Sequence, residues 1–394
     1  MNNRSLLNID FFKEASMKIT RRTALRTMIV APIGMAGLSY ADNKSSTEKK
    51  VESSQENLLT LQIAGYRYDR VAALADGRVR IDGCNINFTE DKIGNLNTHI
   101  FSGPKTRDVT EVGLHPYILA YANSNFRDYT LLPIFPLRVF RHKSIFIRTD
   151  HGISRPEDLR GKKIATPGYS STSLTWIRGV LEDEYGVKPN DIEWYVSSAD
   201  SSAKDTGGPS EFENILPKNL NVKQGPAGKD ESDMLADGDV DALFHAMEPK
   251  CYVEGHPKVA RLFEDFRTVE SSYYKKTGIF PIMHAVAVRK KLIDMHPWLP
   301  SALFKAYAQA KTKAIRELTT LGWAYISLPW LSKEIEETQS LMGKNFWPYG
   351  IKPNRKTVET LCRYSHQQGL ASRTLKIEEL FHESSMLLAE KEVA

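Results

Sequence analysis

Disulfide spacing, metal-ligand spacing and a long apolar run are all missing from this chain. Cys84, Cys251 and Cys362 are the only cysteines in 394 residues. An odd, widely separated set excludes a disulfide framework and a cysteine-based metal site, and leaves room for one bridge at most. The ten histidines include no His-x-His or His-Glu-x-x-His pattern, so no metal is expected. His99, His115, His142, His245 and His284 would form a site only if the fold made them converge. No internal repeat is present, and beyond residue 41 no segment is apolar enough to cross a bilayer.

A strong charge imbalance is lacking as well. Residues 1–41 hold Arg4, Lys13, Lys18, Arg21, Arg22 and Arg26 against Asp10 and Glu14. Without them the 53 basic and 48 acidic residues of the chain become 47 and 46. A nearly neutral body offers no electrostatic footprint for nucleic acid or an anionic membrane.

What is present begins with an address. Thr20-Arg21-Arg22-Thr23-Ala24-Leu25-Arg26 precedes the apolar run Met28 to Leu38, too short to span a membrane, and Ser39-Tyr40-Ala41 offers small residues at a cleavage site. This pattern predicts a twin-arginine signal over 1–41, cut after Ala41, with Met17 a plausible true start, and hence a periplasmic protein that meets the twin-arginine export machinery. Residues 42–57 are Ser, Lys and Glu with little to bury, which predicts a disordered tether. About 350 residues remain, more than one core readily holds, so two lobes are expected.

Leu59 to Ala64 alternates like a strand, and a short helix around Val71 to Leu74 follows the polar turn that carries Tyr68 and Arg70. Ser144 to Arg148 and Lys163 to Pro167 read as strands. Gly168-Tyr-Ser-Ser-Thr-Ser173 then opens a helix that Gly186 ends. Ser170, Ser171 and Thr172 either cap this helix or, with its free N–H groups, present an anion site. Asp191 to Val196 reads as a strand and Ser197 to Pro209 as a loop. Asp233 to Phe244 reads as helix, glycine turn and strand, with His245, Glu248 and Pro249 in the loop beyond. Residues 95–109, with Gly103-Pro104, read as irregular. After the strand Ala285 to Arg289, helices over Ser301 to Leu318 and Ser332 to Met342 dominate.

Three of these elements in order, Glu157-Asp-Leu-Arg-Gly-Lys-Lys-Ile-Ala-Thr-Pro-Gly168, the hydroxyl-rich helix start and Leu235-Ala-Asp-Gly-Asp-Val-Asp-Ala242, resemble the type II periplasmic-binding-protein fold. That resemblance implies an α/β architecture of two lobes joined by two crossing strands, with a ligand cleft between them. Lobe 1 would comprise 58–142 and 281–394, lobe 2 would comprise 143–280, and the crossings would fall near His142-Lys143 and Pro281-Ile282. Tyr68-Asp-Arg70, Asp76-Gly-Arg-Val79, Arg138-Val-Phe-Arg-His142, the run Trp176 to Gly186, the run Tyr273 to His284, Phe346-Trp-Pro-Tyr-Gly350 and Arg363-Tyr-Ser-His-Gln-Gln-Gly369 are similar to the 4,5-dihydroxyphthalate decarboxylase family, from about Leu59 to Phe381. The family implies loss of CO2 from a dihydroxylated aromatic dicarboxylate, giving a catechol monocarboxylate such as protocatechuate, with no organic cofactor. The same fold is also used by exported solute-binding proteins that deliver small carboxylates to a membrane transporter.

Such a decarboxylation needs a proton donor for the ring carbon and cations or N–H groups for the spectator carboxylate. His142 and His284, one at each crossing, are the expected catalytic pair. Arg138 and Arg141 are expected to grip the carboxylate, with Tyr68, Arg70, Ser170, Ser171, Thr172 and His245 as further substrate contacts from strand ends and the helix start. Trp347 and Tyr349 are expected to pack.

Overall fold

The computed structural model describes residues 58–322 and 326–390. The expected export signal and tether lie outside the described residues. Among the described residues, eleven strands form two sheets. The first contains β1 (Leu59–Gly65), β2 (Cys84–Glu90), β3 (Val109–Gly113), β4 (Tyr129–Arg138) and, from much later in the chain, β11 (Ile282–Arg289). Its order is β2-β1-β3-β11-β4. The first three strands are parallel, and β11 runs antiparallel to β3 and β4.

The second sheet holds β5 (Ile145–Arg148), β6 (Lys163–Thr166), β7 (Glu193–Val196), β8 (Val222–Gln224), β9 (Ala242–Phe244) and β10 (Val259–Arg261). Its order is β10-β5-β9-β6-β7-β8, with β9, β6, β7 and β8 parallel. At the centre of the second sheet β6 and β9 are largely buried, which is why they read as short apolar runs, whereas the edge strands β2 and β8 are largely exposed. The expected two-lobed α/β architecture is therefore present.

The chain leaves the first sheet after Arg138 and enters the second at Ile145; it returns after the helix Phe266–Thr277 to start β11 at Ile282. The two passages touch, the Val139 N–H donating to the Pro281 carbonyl at 3.1 Å. A third tie comes from the C-terminal helix Arg355–Gln367. It packs on the helix Thr172–Tyr185, where Gly179 leaves room for the Tyr364 ring, and Tyr364 donates to Asp183 at 2.6 Å.

Several sequence readings are matched closely. The helix Thr172–Tyr185 ends on Gly186 at φ 64°, and the helices Leu299–Thr319 and Leu331–Met342 fill the expected spans. One reading is corrected. Residues 95–109 are not irregular throughout, because a helix covers Ile93–Phe101 and buries Leu96, Ile100 and Phe101. Its apolar positions were masked by Gly94 and by the polar residues Asn95, Asn97, Thr98 and His99 among them, and only the stretch containing Gly103-Pro104 is a loop.

Candidate functional site

Loops at the carboxyl ends of parallel strands in both sheets face one cavity of about 500 Å³. From the first sheet come Tyr66 and Tyr68 after β1, Gly113 at the end of β3, and His284 on β11. From the second come Ser171 to Leu174 after β6, Asp200 and Ser202 after β7, and His245 to Glu248 after β9. This is where open α/β sheets gather their ligand groups, and the volume suits a small molecule.

Arg141 is the central cation of this wall. It is 6% exposed, so its guanidinium must be satisfied by fixed acceptors. Nη1 donates to the Ala246 carbonyl at 2.8 Å and Nε meets Met283 Sδ at 3.3 Å. These contacts brace it between the residues that adjoin His245 and His284. No carboxylate lies within ion-pair distance among the described residues, and burial lowers its pKa to about 10. A desolvated cation on a cavity wall with no anionic partner is suited to an anionic ligand.

Beside it the helix Thr172–Tyr185 points its start into the cavity. Ser171 caps it, accepting from the Leu174 N–H at 3.4 Å. The N–H groups of Thr172 and Ser173 have no partner among the described residues. Ser173 Oγ lies 3.6 Å from the same Met283 sulfur that Arg141 touches, which draws helix start and guanidinium together.

The other chemically distinct feature is a histidine–carboxylate pair. His284 Nδ1 is 2.5 Å from Glu111 Oε1, which also accepts the Tyr68 hydroxyl at 3.0 Å, while Glu111 Oε2 takes the Tyr66 N–H at 3.0 Å. Glu111 is buried within β3. Three fixed donors thus occupy the Glu111 carboxylate, and the only ring nitrogen left for the cavity is His284 Nε2. Burial together with the Glu111 charge raises the Tyr68 hydroxyl far above its ordinary value, so Tyr68 stays protonated as a donor.

A third cluster sits after β7 and β9. His245 Nδ1 bonds the Met247 carbonyl at 2.8 Å, and its Nε2 lies 3.3 Å from Glu231 Oε1 and 3.5 Å from Asp200 Oδ1. Burial alone would lower the His245 pKa, but the Asp200 hydrogen bond and the Glu231 charge outweigh it and raise it. The three side chains offer ligand atoms within 4.8 Å of one another, the spacing needed to hold a metal ion. The wider convergence of histidines does not occur. His99 is bound to Thr106 outside the cavity wall, and His115 is wholly buried between the Ser170 carbonyl and Ser365 Oγ.

Several expected contacts lie elsewhere. His142 is buried between Phe263 and Tyr273, with both ring nitrogens unpartnered among the described residues and Glu270 no closer than 4.0 Å. It does not line the cavity. Arg138 turns away as well, donating to the Pro348 and Phe280 carbonyls and to Asn354 Oδ1. Arg70 is stacked between Tyr68 and Trp347, 4.2 Å from each ring, and bonds the Pro136 carbonyl. Ser170 is spent on Phe212 and Ile215. Thr172 lines the cavity, although its hydroxyl accepts the His115 N–H at 3.1 Å. Trp347 and Tyr349 pack, as expected.

Glu111, Asp200 and Glu231 were not anticipated. A lone glutamate in the otherwise uncharged buried strand Val109–Gly113 was the available signal for the first, since a charge there needs a dedicated partner.

Residues 138–206 match the family model described as NMT1/THI5 like. A 4,5-dihydroxyphthalate decarboxylase of Comamonas testosteroni is 37% identical over 331 residues, 83% of this chain and 98% of the relative. A protein of the same name from Pseudomonas putida is 35% identical over 219 residues, 56% of this chain and 83% of the relative. Among solved structures, the periplasmic aliphatic sulphonate-binding protein SsuA of Escherichia coli is 15% identical, with a TM-score of 0.47 over 82% of this chain and 97% of that one.

Proposed function

The chain belongs to the 4,5-dihydroxyphthalate decarboxylase family, and from that membership we propose that it removes CO2 from a dihydroxylated aromatic dicarboxylate held in the cavity. The observation that carries the reading beyond the family is the Glu111–His284 pair, whose free nitrogen shares a cavity with the unpaired guanidinium of Arg141. Arg141 and the free N–H groups of Thr172 and Ser173 hold a ligand carboxylate by charge-assisted hydrogen bonds. His284, protonated at Nε2, delivers its proton to the ring carbon that bears the departing carboxylate. The carbon–carbon bond then breaks, its electron pair restores the aromatic ring, and CO2 leaves. Glu111 fixes the ring orientation of His284 and leaves Nε2 as the nitrogen that meets the ligand. The turnover consumes one proton, which solvent restores to His284.

Purified protein incubated with 4,5-dihydroxyphthalate tests this, followed by chromatography of the product and by CO2 release, with and without added divalent metal. Unchanged substrate under every condition would reject the reading.

The twin-arginine pattern at residues 20–26 favours a second reading. In it the protein is an exported receptor that carries an aromatic or other small carboxylate to a membrane transporter. It predicts binding without turnover. Cell fractionation that leaves the protein in the cytoplasm, or calorimetry without binding of aromatic carboxylates, would remove it.

A further inference from the structure

We propose that Asp200 is the hydroxyl-recognition residue of the cavity, its Oδ2 accepting the ring hydroxyl that lies para to the departing carboxylate. The inference deepens the decarboxylase reading and rests on it.

Asp200 stands where the chain leaves β7, on the cavity wall. All of its protein donors converge on one oxygen. The Ser202 N–H and O–H each reach Oδ1 at 2.7 Å, and His245 Nε2 lies 3.5 Å from it. Oδ2 has no partner among the described residues. Two Ser202 donors therefore hold the side chain as an acceptor with one oxygen anchored and the other available.

The other carboxylates on the wall are differently engaged. Glu213 takes the Ser210 N–H at 2.8 Å, Glu248 is paired with Arg261 at 2.7 Å, and Asp205 is exposed. Behind Asp200, the wholly buried Glu231 faces the same His245 Nε2 at 3.3 Å and is itself tied to Ser197 and Ser201. His245 and Glu231 are positioning residues here. Both N–H directions of the imidazole already have acceptors, so His245 orients Asp200 and has no free donor for a ligand.

An ionised carboxylate in a cavity for a dianion costs affinity unless it meets a donor of the ligand. Carboxylate groups on the ligand cannot donate, whereas a phenol can. Its O–H proton passes to Asp200 Oδ2 as the oxygen lone pair moves into the ring, and the para carbon accepts the proton from His284. When CO2 departs, its electron pair rearomatises the ring and Asp200 returns the proton to the phenol oxygen. Atoms and charge balance with a net uptake of one proton.

Calorimetry of the wild type and Asp200→Asn with 4,5-dihydroxyphthalate and with phthalate tests the assignment, together with turnover and metal analysis of both proteins. The expected wild type prefers the hydroxylated ligand. Asp200→Asn should lose about tenfold or more of its affinity for that ligand, keep or improve its affinity for phthalate, and lose turnover by about a hundredfold. Retained phthalate binding shows an intact cavity. An unchanged preference in Asp200→Asn would overturn the proposal, as would equal loss of both affinities, which would make Asp200 a loop support. So would a stoichiometric divalent ion in the wild type that is absent from the variant. A wild type that prefers the hydroxylated ligand, loses that preference in Asp200→Asn and releases no CO2 would refute the decarboxylase reading while sustaining this one.

Discussion

The Nδ1 atom of His284 lies 2.5 Å from Oε1 of Glu111, although the two residues are 173 positions apart in the chain. The pairing follows from topology. Strand β11 inserts antiparallel between β3 and β4 and sets His284 opposite Gly113, two residues beyond Glu111. A carboxylate that far from its partner in sequence reaches it only because the returning segment completes the first sheet.

His284→Gln is expected to lower turnover of 4,5-dihydroxyphthalate by about a hundredfold or more with little change in KM, because it removes a transferable proton and keeps most of the volume. Glu111→Gln should lower turnover less, since Nε2 remains and only the partner that orients the ring changes. Steady-state kinetics across pH checks both. A His284→Gln protein with unaltered turnover would mean the donor lies elsewhere.

The sequence resolved the lobes better than the site. Gly186, Gly238 and Gly343 punctuate helices visibly, and each adopts a positive φ, so element boundaries were legible. Charge in a motif was less informative. Arg138 and Arg141 are three residues apart and look equivalent in the run Arg138-Val-Phe-Arg-His142. Yet β4 ends at Arg138 and directs its side chain toward Asn354, whereas Arg141 has left the strand and turns toward Ala246. Burial of the hydroxyls was invisible for the same reason. Ser170, Ser171 and Thr172 are adjacent, but only the last two line the cavity.

Arg141→Met should raise KM by about tenfold to a hundredfold, the range expected for losing a charged hydrogen bond to a bound carboxylate, with a smaller effect on turnover. Arg138→Met should act on stability instead, because its guanidinium serves Phe280, Pro348 and Asn354. Kinetics paired with thermal melting separates the two. Equal KM effects from both variants would contradict the distinction.

His142→Leu is expected to retain turnover within about twofold. Burial lowers the His142 pKa to about 4, and neither ring nitrogen has a partner, so an apolar side chain removes an unsatisfied polar pair at little cost. The proton-donor expectation for His142 would demand about a hundredfold loss. Single-variant kinetics decides between them.

His115 makes part of the stability of the fold acid-sensitive. Burial pushes its pKa from 6.5 to about 3, so the ring is neutral when folded and takes up a proton below about pH 6.5 when unfolded. The unfolded state then binds more protons across that window. Stability attributable to His115 is intact above the unfolded value and falls as pH drops toward the folded one, by about 1.4 kcal/mol per pH unit at the steepest. His142 adds in the same direction. Burial raises the Glu270 pKa to about 7, which acts in the opposite direction, so the check is comparative: as pH falls from 7.5 to 4.5, His142→Leu should lose less stability than the wild type, measured by melting temperature.

Gly179→Ala is expected to destabilise the protein by about 1–3 kcal/mol, the usual cost of overpacking. A Cβ at this position would lie 2.2 Å from Cδ2 of Tyr364, and the contacted atoms belong to a ring rather than to a flexible tip. Tyr364 is held by its bond to Asp183 at 2.6 Å and by edge-to-face packing on Trp176, so it cannot yield without releasing the C-terminal helix. Tyr364→Ala in the same background removes the clash, and a double-mutant cycle should show the two changes to be strongly non-additive. Because this contact lies behind the helix whose start faces the cavity, the single Gly179→Ala variant should also raise KM modestly through misplacement of Thr172 and Ser173. Purely additive stability effects in the cycle would mean that the close approach of helix and ring carries no energetic weight.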